Sequence, residues 1–233
     1  MVVITFEGGE CVGKDTQVAL LAERLRSEGY NVSDIKVSEP GSTPVGDMCR
    51  ILVKNTIDKE HLKPFQNVAD HIKDHDIIPL TQMSLFFASR AEVYDKLVKP
   101  EKEKGKIIIL NRSVDSTTVY QGHAQKKTLI PLIRNINEAI LDELHIDMTV
   151  LLDIPVDVTL SRMHERDGDH GDRFQDMDES FHTKVREGYL KEAEVYSRIK
   201  IIDATTSIED VHDKVYEAIK PVLSYSSSSL SSR

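Results

Sequence analysis

The sequence of 233 residues has little of several features that mark particular classes of protein. It contains only two cysteines, which predicts no disulfide framework and favours a reducing compartment, the cytoplasm. No apolar run approaches the ~20 residues that a membrane helix needs, so we expect no membrane span. An N-terminal basic segment followed by an apolar stretch is also missing, and we expect no export signal.

Positive charge is scarce as well. Lysine and arginine number 30 against 39 aspartates and glutamates, which leaves a formal net charge of -9. A chain of this charge is not expected to adhere to nucleic acid or to anionic lipid. Any anionic ligand must therefore be bound by a local cluster of cations. The chain length and its hydrophobic fraction of 39% suit one globular domain.

Alternating strand and helix patterns predict the fold class. Apolar, β-branched runs are expected to form buried strands at Val2–Phe6, Val32–Val37, Ile107–Leu110, Val150–Asp153 and Ile199–Asp203. Helical spacing of apolar residues is found from Lys14 to a stop at Gly29 and at Val45–Leu52, Pro79–Lys99, Val114–Leu144, Val156–His164, Ser180–Ser197 and Ser207–Val222. This order predicts an α/β fold in three layers, with a doubly wound parallel sheet that binds ligands at the carboxyl ends of its strands.

Two segments depart from the alternation. Residues 57–78 mix Asp, Lys and His with little periodicity, and they are predicted to form a surface insertion. From Ser224 onward, seven of ten residues are serine, so residues 223–233 are predicted to be a disordered tail. Residues 1–222 are accordingly predicted to form a single domain.

A glycine-rich loop between the first strand and the first helix is the strongest motif. Gly8 to Lys14 fits the spacing G-x-x-x-x-G-K, with a buried strand before it and a helix after it. In such a loop the backbone N–H groups converge on phosphate oxygens, and the lysine reaches the transferred phosphoryl group. The residues predicted to bind ATP are Gly8, Gly9, Glu10, Cys11, Val12, Gly13, Lys14, Asp15 and Thr16.

Segments along the chain resemble, in order, the motifs of the thymidylate kinase family. Phe6–Gln17 is similar to the first motif of that family, and Glu39–Pro44 is similar to its E-P-G-G-T-P segment. Leu85–Arg90 resembles the helix that carries a base-stacking Phe and an Arg. Asn111–Gly122 resembles D-R-Y-x-x-S-T-x-x-Y-Q-G, and Arg162–Phe174 resembles the arginine-bearing lid of bacterial-type members.

The resemblance implies ATP-dependent phosphorylation of dTMP to dTDP with Mg²⁺, carried out by a homodimer. It also implies a lid at residues 165–178 that closes over the phosphates. The catalytic residues that it implies are Lys14, Arg112, Arg166, Arg173 and Glu10. The dTMP-binding residues that it implies are Glu10, Pro40, Phe86, Arg90, Arg112, Ser116, Thr117, Tyr120 and Gln121.

Particular roles also follow from the resemblance. Arg90 and Arg112 would clamp the acceptor phosphate, a task that suits the planar guanidinium fork. Phe86 would stack on thymine, and Tyr120 would crowd the 2′ position of the sugar and so select deoxyribose. Thr117 would contact the base.

The metal ligands are predicted to be Asp15, Thr16 and Glu10. Asp15 stands where a metal-binding Ser or Thr is usual, and Asn111 stands where the family has Asp. We hypothesise that the negative charge near Mg²⁺ has moved from the strand end to the loop, since Mg²⁺ accepts either carboxylate as an oxygen ligand.

Two other functions stay open. One is a kinase of broader deoxynucleoside monophosphate specificity, or a deoxynucleoside kinase of related fold. A nucleoside acceptor would want a carboxylate near its 5′-hydroxyl, and Arg90 and Arg112 would then have less to bind. The other is a non-enzymatic nucleotide-binding switch protein, which is disfavoured because the sequence has neither an N-K-x-D nor a D-x-x-G segment.

Overall fold

A computed structural model describes residues 2–54, 60–72, 77–167 and 174–228. Its strands are β1 (Val2–Glu7), β2 (Ile107–Asn111), β3 (Met148–Asp153) and β4 (Ile199–Asp203). Its α-helices are α1 (Lys14–Ser27), α2 (Pro44–Lys54), α3 (Gln66–Ile72), α4 (Pro79–Val93), α5 (Lys99–Glu103), α6 (Val114–Thr117), α7 (Ile130–Leu144), α8 (Val156–Asp167), α9 (Glu179–Val195) and α10 (Ile208–Ser228). Short 3-10 helices lie at Glu60–Phe65 and Lys127–Leu129, and π-helices lie at Tyr94–Val98 and Thr118–Gln125.

The strands form one parallel sheet in the order β2-β1-β3-β4. In its register Val3 is opposite Ile108, and Phe6 is opposite Val150. Because β1 lies between β2 and β3, the loop that follows β1 emerges at the middle of the carboxyl edge, where ligands bind in such sheets. The predicted α/β class with a parallel, helix-flanked sheet is confirmed.

Both faces of the sheet are covered by helices, which explains why β1 is a continuous apolar run. Ile4 and Phe6 pack with Leu21 of α1 and Val215 of α10 on one face. Val3 packs on the opposite face, in the cluster that contains residues of α4 and α7. Since side chains alternate along a strand, the last residue of β1 also points to this second face. The fold thereby buries a carboxylate beside the loop.

The predicted strand Val32–Val37 is wrong. Only two isolated bridges form at the outer edge of β2, between Val32 and Ile107 and between Ser38 and Asn111. The Ser33 hydroxyl accepts the Ile35 amide at 3.2 Å, so that this N–H cannot join a ladder. The chain touches the edge of the sheet at both ends of the segment but does not pair along it.

The last helix is longer than predicted. It continues past Val222 to Ser228, because Leu223 is buried in the core beside β1 and β3. Residues 60–72 of the predicted insertion form a 3-10 helix and α3, although the sequence there shows little periodicity. Residues 57–59, 73–76, 168–173 and 229–233 lie outside the described residues. Among the helices described, none is both long and apolar enough to cross a membrane.

Candidate active site

A cavity of about 480 Å³ lies at the carboxyl ends of β1 and β2, within the usual size of a small-molecule site. The loops after both strands, the loop before α2 and side chains of α2, α4 and α8 form its walls. The lining residues are Glu10, Cys11, Val12, Gly13, Lys14, Asp15, Thr16, Ser38, Glu39, Pro40, Arg50, Lys54, Phe86, Asn111, Arg112, Ser116, Thr117, Tyr120, Gln121, Arg162, Arg166, Phe174 and Gln175. The structure thus brings most of the predicted site residues together.

The glycine-rich loop has the backbone that its sequence demands. Gly8 has a φ of 140°, and a Cβ there would lie 2.4 Å from the carbonyl oxygen of Leu152, so no larger residue fits. Gly13, with a φ of 92°, directly precedes α1. Lys14 is buried and donates to the carbonyl oxygen of Gly8 at 3.2 Å. Burial, together with the positive charge of Arg112, lowers the pKa of Lys14 to about 7.

Arg112 joins the loop to the end of β2. Its Nη2 donates to Glu10 Oε1 at 2.7 Å and to the Tyr120 hydroxyl at 3.2 Å. Its Nη1 donates to the carbonyl oxygen of Gly8 at 3.1 Å and to Ser116 Oγ at 3.2 Å. The backbone of Arg112 has a φ of 71°, which is uncommon for a residue other than glycine and recurs at functional sites. The guanidinium is therefore fixed from several sides.

Glu10 is the anionic partner of this arginine. Burial acts to raise its pKa, but the positive charges of Arg112, Lys14 and Lys54 outweigh burial and hold the pKa well below the usual range. The Tyr120 hydroxyl donates to Glu10 Oε1 at 2.8 Å, which adds to the effect. Glu10 therefore stays ionised, and cations outnumber it on this wall.

Glu7, for which no role was predicted from the sequence, supports the same cluster. Its carboxyl group is fully buried and accepts hydrogen bonds from Ser113 N at 2.7 Å, Ser116 Oγ at 2.6 Å and the Tyr189 hydroxyl at 2.8 Å. Burial, with the charge of Asp115, raises the pKa of Glu7. The sequence signal that could have identified Glu7 is its position, as an acidic residue at the end of a buried strand directly before the glycine-rich loop.

Aromatic rings form the opposite end of the cavity. Phe86 and Phe174 both line it, with their ring centroids 6.2 Å apart, and Tyr120 meets Phe174 edge-on at 5.6 Å. Phe87 packs instead in a core cluster with Ile133. The amide nitrogen of the cavity residue Gln121 donates to Gln82 Oε1 at 3.2 Å.

Arg90 lies behind the cavity wall and does not line it. Its Nε donates to Glu39 Oε2 at 2.7 Å, and its Nη2 donates to the Ser113 carbonyl oxygen at 2.9 Å and to Thr117 Oγ1 at 3.1 Å. Its Nη1 is buried without a hydrogen-bond partner. Its other two nitrogens are thus occupied within the protein.

The predicted metal ligands divide into two places. Asn111 Nδ2 donates to Asp15 Oδ1 at 2.6 Å at the open side of the loop, whereas Glu10 is bonded to Arg112 and Tyr120. Thr16 is exposed on the cavity beside Asp15. Across the described residues, no group of three or more His, Cys, Asp or Glu could hold a metal by itself. One carboxylate beside a phosphate site fits Mg²⁺, which is held by few carboxylates together with substrate phosphates.

Two cations on the wall were not predicted from the sequence. Arg50 and Lys54 lie one turn apart on α2, and both line the cavity. Arg50 Nη1 donates to the carbonyl oxygen of Pro40 at 2.9 Å. Their spacing of four residues on the helix that follows the Glu39–Pro44 segment was the available signal.

The predicted lid is described only at its ends. Arg166 lies on the last turn of α8 and lines the cavity, as does Arg162 one turn earlier. Arg162 also donates to the carbonyl oxygen of Cys11 at 3.4 Å. Arg173 lies outside the described residues.

Known proteins are similar to this chain over nearly its whole length. Residues 6–215 match the family model described as Thymidylate kinase. A protein named thymidylate kinase from Caldanaerobacter subterraneus subsp. tengcongensis is 35% identical over 221 residues, which cover 94% of this chain and 95% of that protein. A protein of the same name from Exiguobacterium sibiricum is 34% identical over 223 residues, which cover 95% of this chain and 94% of that protein.

Proposed function

Because the chain belongs to the thymidylate kinase family, we propose that it transfers the γ-phosphoryl group of ATP to dTMP and forms dTDP and ADP. The observation that carries the proposal is a single cavity in which a phosphate-binding loop meets an arginine-centred cluster and a wall of aromatic rings. These three parts correspond to a polyphosphate donor, a phosphate acceptor and a planar base.

The loop supports binding of the donor. Its N–H groups and the amino end of α1 favour an anion at this position. Lys14 is held by loop carbonyl oxygens. From this position its amino group would contact the β and γ phosphates of ATP. Arg166, together with Arg173, would close over these phosphates from the lid.

The cations of the opposite wall support binding of the acceptor. The phosphate of a nucleoside monophosphate has a second pKa of about 6 and is mostly dianionic at neutral pH, so the attack needs no general base. Arg112 is held in place for such a dianion, and Arg50 and Lys54 add positive charge on the same wall. Catalysis then consists of positioning and neutralisation of charge.

The remaining wall supports selection of the nucleoside. Phe86 and Phe174 line the cavity and would contact a base, and Tyr120, which meets Phe174 and donates to Glu10, would contact the sugar. The other residues that we assign to the acceptor are Pro40, Arg90, Ser116, Thr117 and Gln121. Arg90 would contact the acceptor through Nη1 alone.

The metal and the assembly are also proposals. Mg²⁺ bound with ATP would neutralise phosphate charge, and Asp15, Thr16 and Glu10 are the residues that would hold it. The resemblance supports a homodimer, and the small number of cysteines, two in the whole sequence, supports a cytoplasmic location.

Turnover with a panel of acceptors tests the proposed function. The purified chain, supplied with Mg²⁺ and ATP, is assayed for ADP release with dTMP, dUMP, dCMP and thymidine. We expect dTMP to give the highest kcat/KM, and Lys14→Met to abolish turnover while the circular dichroism spectrum is kept. Turnover of thymidine without turnover of dTMP would replace the proposal with a nucleoside kinase.

A further inference from the structure

Asp15 places a carboxylate at a position where a phosphate-binding loop normally has a hydroxyl. It directly follows Lys14, is exposed and lines the cavity. A carboxylate there repels the phosphates of a nucleotide unless a cation lies between them. Without a compensating positive charge, Asp15 would therefore weaken nucleotide binding.

No side chain among the described residues forms an ion pair with Asp15, although its charge does act on the neighbouring, buried Lys14. The hydrogen bond of Asp15 comes from the neutral amide of Asn111. Lys14 donates to loop carbonyl oxygens, and Arg112 is bonded to Glu10. A cation that arrives with the nucleotide would add the charge that balances Asp15 against the phosphates.

The amide partner explains how Asp15 is oriented. Asn111 Nδ2 lies 2.6 Å from Asp15 Oδ1, so this oxygen is held against the end of β2. The second carboxylate oxygen stays available to a cation. A carboxylate at position 111 could not donate this hydrogen bond, and it would repel Asp15 at the same distance. Position 111 thus has to be neutral when position 15 is acidic.

We propose that Asp15, oriented by Asn111, binds the Mg²⁺ of the donor nucleotide, directly or through a bound water, and makes nucleotide binding conditional on the metal. The inference rests on the proposed function, since it requires ATP at the loop. Asn111 is a positioning residue, because it acts through Asp15. The loop carboxylate replaces the strand-end carboxylate that the family has at position 111.

Nucleotide binding with and without metal tests the proposal without any turnover. The dissociation constant of ATP is measured by calorimetry in EDTA and in excess Mg²⁺ for the wild type and for Asp15→Asn. We expect the dissociation constant in EDTA divided by that in Mg²⁺ to be about 10- to 100-fold smaller in the variant than in the wild type. Metal-free ATP should bind it more tightly, because the repelling charge is gone.

Asp213→Asn is the matched control. Asp213 is an exposed carboxylate on α10 that pairs with Arg24, so this variant loses the same charge away from the cavity. Its ratio should equal that of the wild type. An unchanged ratio in Asp15→Asn, or an equal change in Asp213→Asn, would overturn the inference.

A double-mutant cycle tests the pairing of the two positions. Mn²⁺ affinity is read by electron paramagnetic resonance on the ADP complexes of Asp15→Ser, Asn111→Asp and the double variant. We expect the double variant to bind Mn²⁺ more tightly than Asp15→Ser, since it regains one carboxylate. Additive effects in the cycle would refute the coupling.

The two proposals can fail separately. If the wild type phosphorylates dTMP but the metal dependence of ATP binding is unchanged in Asp15→Asn, only the inference fails. If Asp15→Asn loses the metal dependence but the wild type does not phosphorylate dTMP, only the proposed function fails.

Discussion

Two arginine–glutamate pairs flank the cavity, and they have the same length but different surroundings. Arg90 and Glu39 lie 2.7 Å apart with side chains that are 2% and 3% exposed. Arg112 and Glu10 also lie 2.7 Å apart, but each of their side chains is 17% exposed and lines the cavity. An arginine–glutamate pair near the cavity therefore does not by itself indicate a phosphate-binding site.

The pKa values of Glu39 and Glu10 shift in opposite directions, because the charges around the two carboxylates differ. Burial raises the pKa of Glu39, although the charge and the hydrogen bond of Arg90 oppose this. When both partners are ionised, this pair has no net charge. At Glu10 the charges of Arg112, Lys14 and Lys54 outweigh burial and lower the pKa. A dianionic phosphate is stabilised where cations are in excess. We therefore expect Arg112 to contribute more than Arg90 to binding of the acceptor phosphate.

The neutral pair still has a structural task. Glu39 belongs to the loop before α2, Arg90 belongs to α4, and Arg90 also bonds to Ser113 and Thr117 around α6. A buried pair of this kind costs about as much in desolvation as it returns, but removing one partner leaves a buried charge uncompensated. The pair thus fixes three segments of the wall relative to one another.

The largest expected effect is on catalysis, in Arg112→Met. We expect kcat/KM for dTMP to fall by about 10⁴-fold, as is found when an arginine that stabilises a transferred phosphoryl group is removed. Steady-state kinetics at saturating Mg²⁺ and ATP measure this. Arg24→Met, which removes a surface arginine paired with Asp213, is the matched control and should leave kcat/KM unchanged.

A loss of less than tenfold in Arg112→Met would contradict the comparison. It would mean that the cation excess at Glu10 does not act on the acceptor. The unfolding transition of the variant in urea shows whether the fold is kept.

The next effect in size is on stability, in Arg90→Met. We expect the free energy of unfolding to fall by about 4 kcal/mol, because Glu39 is left buried without a partner. Urea unfolding measures the change. The double variant Arg90→Met with Glu39→Met should recover most of the lost stability, since both buried charges are then gone.

Kinetics of that double variant compare the contributions of Arg90 and Arg112 to binding of the acceptor. Its kcat/KM for dTMP should fall at least tenfold less than in Arg112→Met. An equal loss in the two variants would show that Arg90 Nη1 carries the acceptor phosphate as directly as Arg112 does.

The glycine-rich loop could be predicted from the sequence because it is a local motif. Gly8, Gly13 and Lys14 are fixed by backbone conformation within a few residues, and the strand and helix beside them have clear periodicity. The resemblance to a family placed Phe86 and Arg112 on the cavity wall, where they lie. Composition alone could not have distinguished Phe86 from Phe87.

The burial of Arg90 and the role of Glu7 could not be predicted in this way. Both depend on which distant segments pack around a side chain, and Arg90 meets Glu39 across 51 positions of the chain. The wrong strand at Val32–Val37 has the same origin, since its apolar pattern is satisfied by burial of its ends while Asp34 and Lys36 stay exposed. Local sequence patterns predicted most helices and strands, whereas contacts between distant segments determine which side chains form the cavity wall.

The smallest effect concerns pH, and it tests the cation excess around Lys14. Burial and the charge of Arg112 lower the pKa of Lys14 to about 7, and bound phosphates should raise it again. ATP therefore binds the protonated form better, and its affinity should fall by about fivefold between pH 7 and pH 8. Calorimetry at constant Mg²⁺ measures this, and Lys14→Met should lose the pH dependence. In Arg112→Met the fall should begin at higher pH, because one of the charges that lower the pKa of Lys14 is gone; an unshifted profile would show that Arg112 does not act on Lys14.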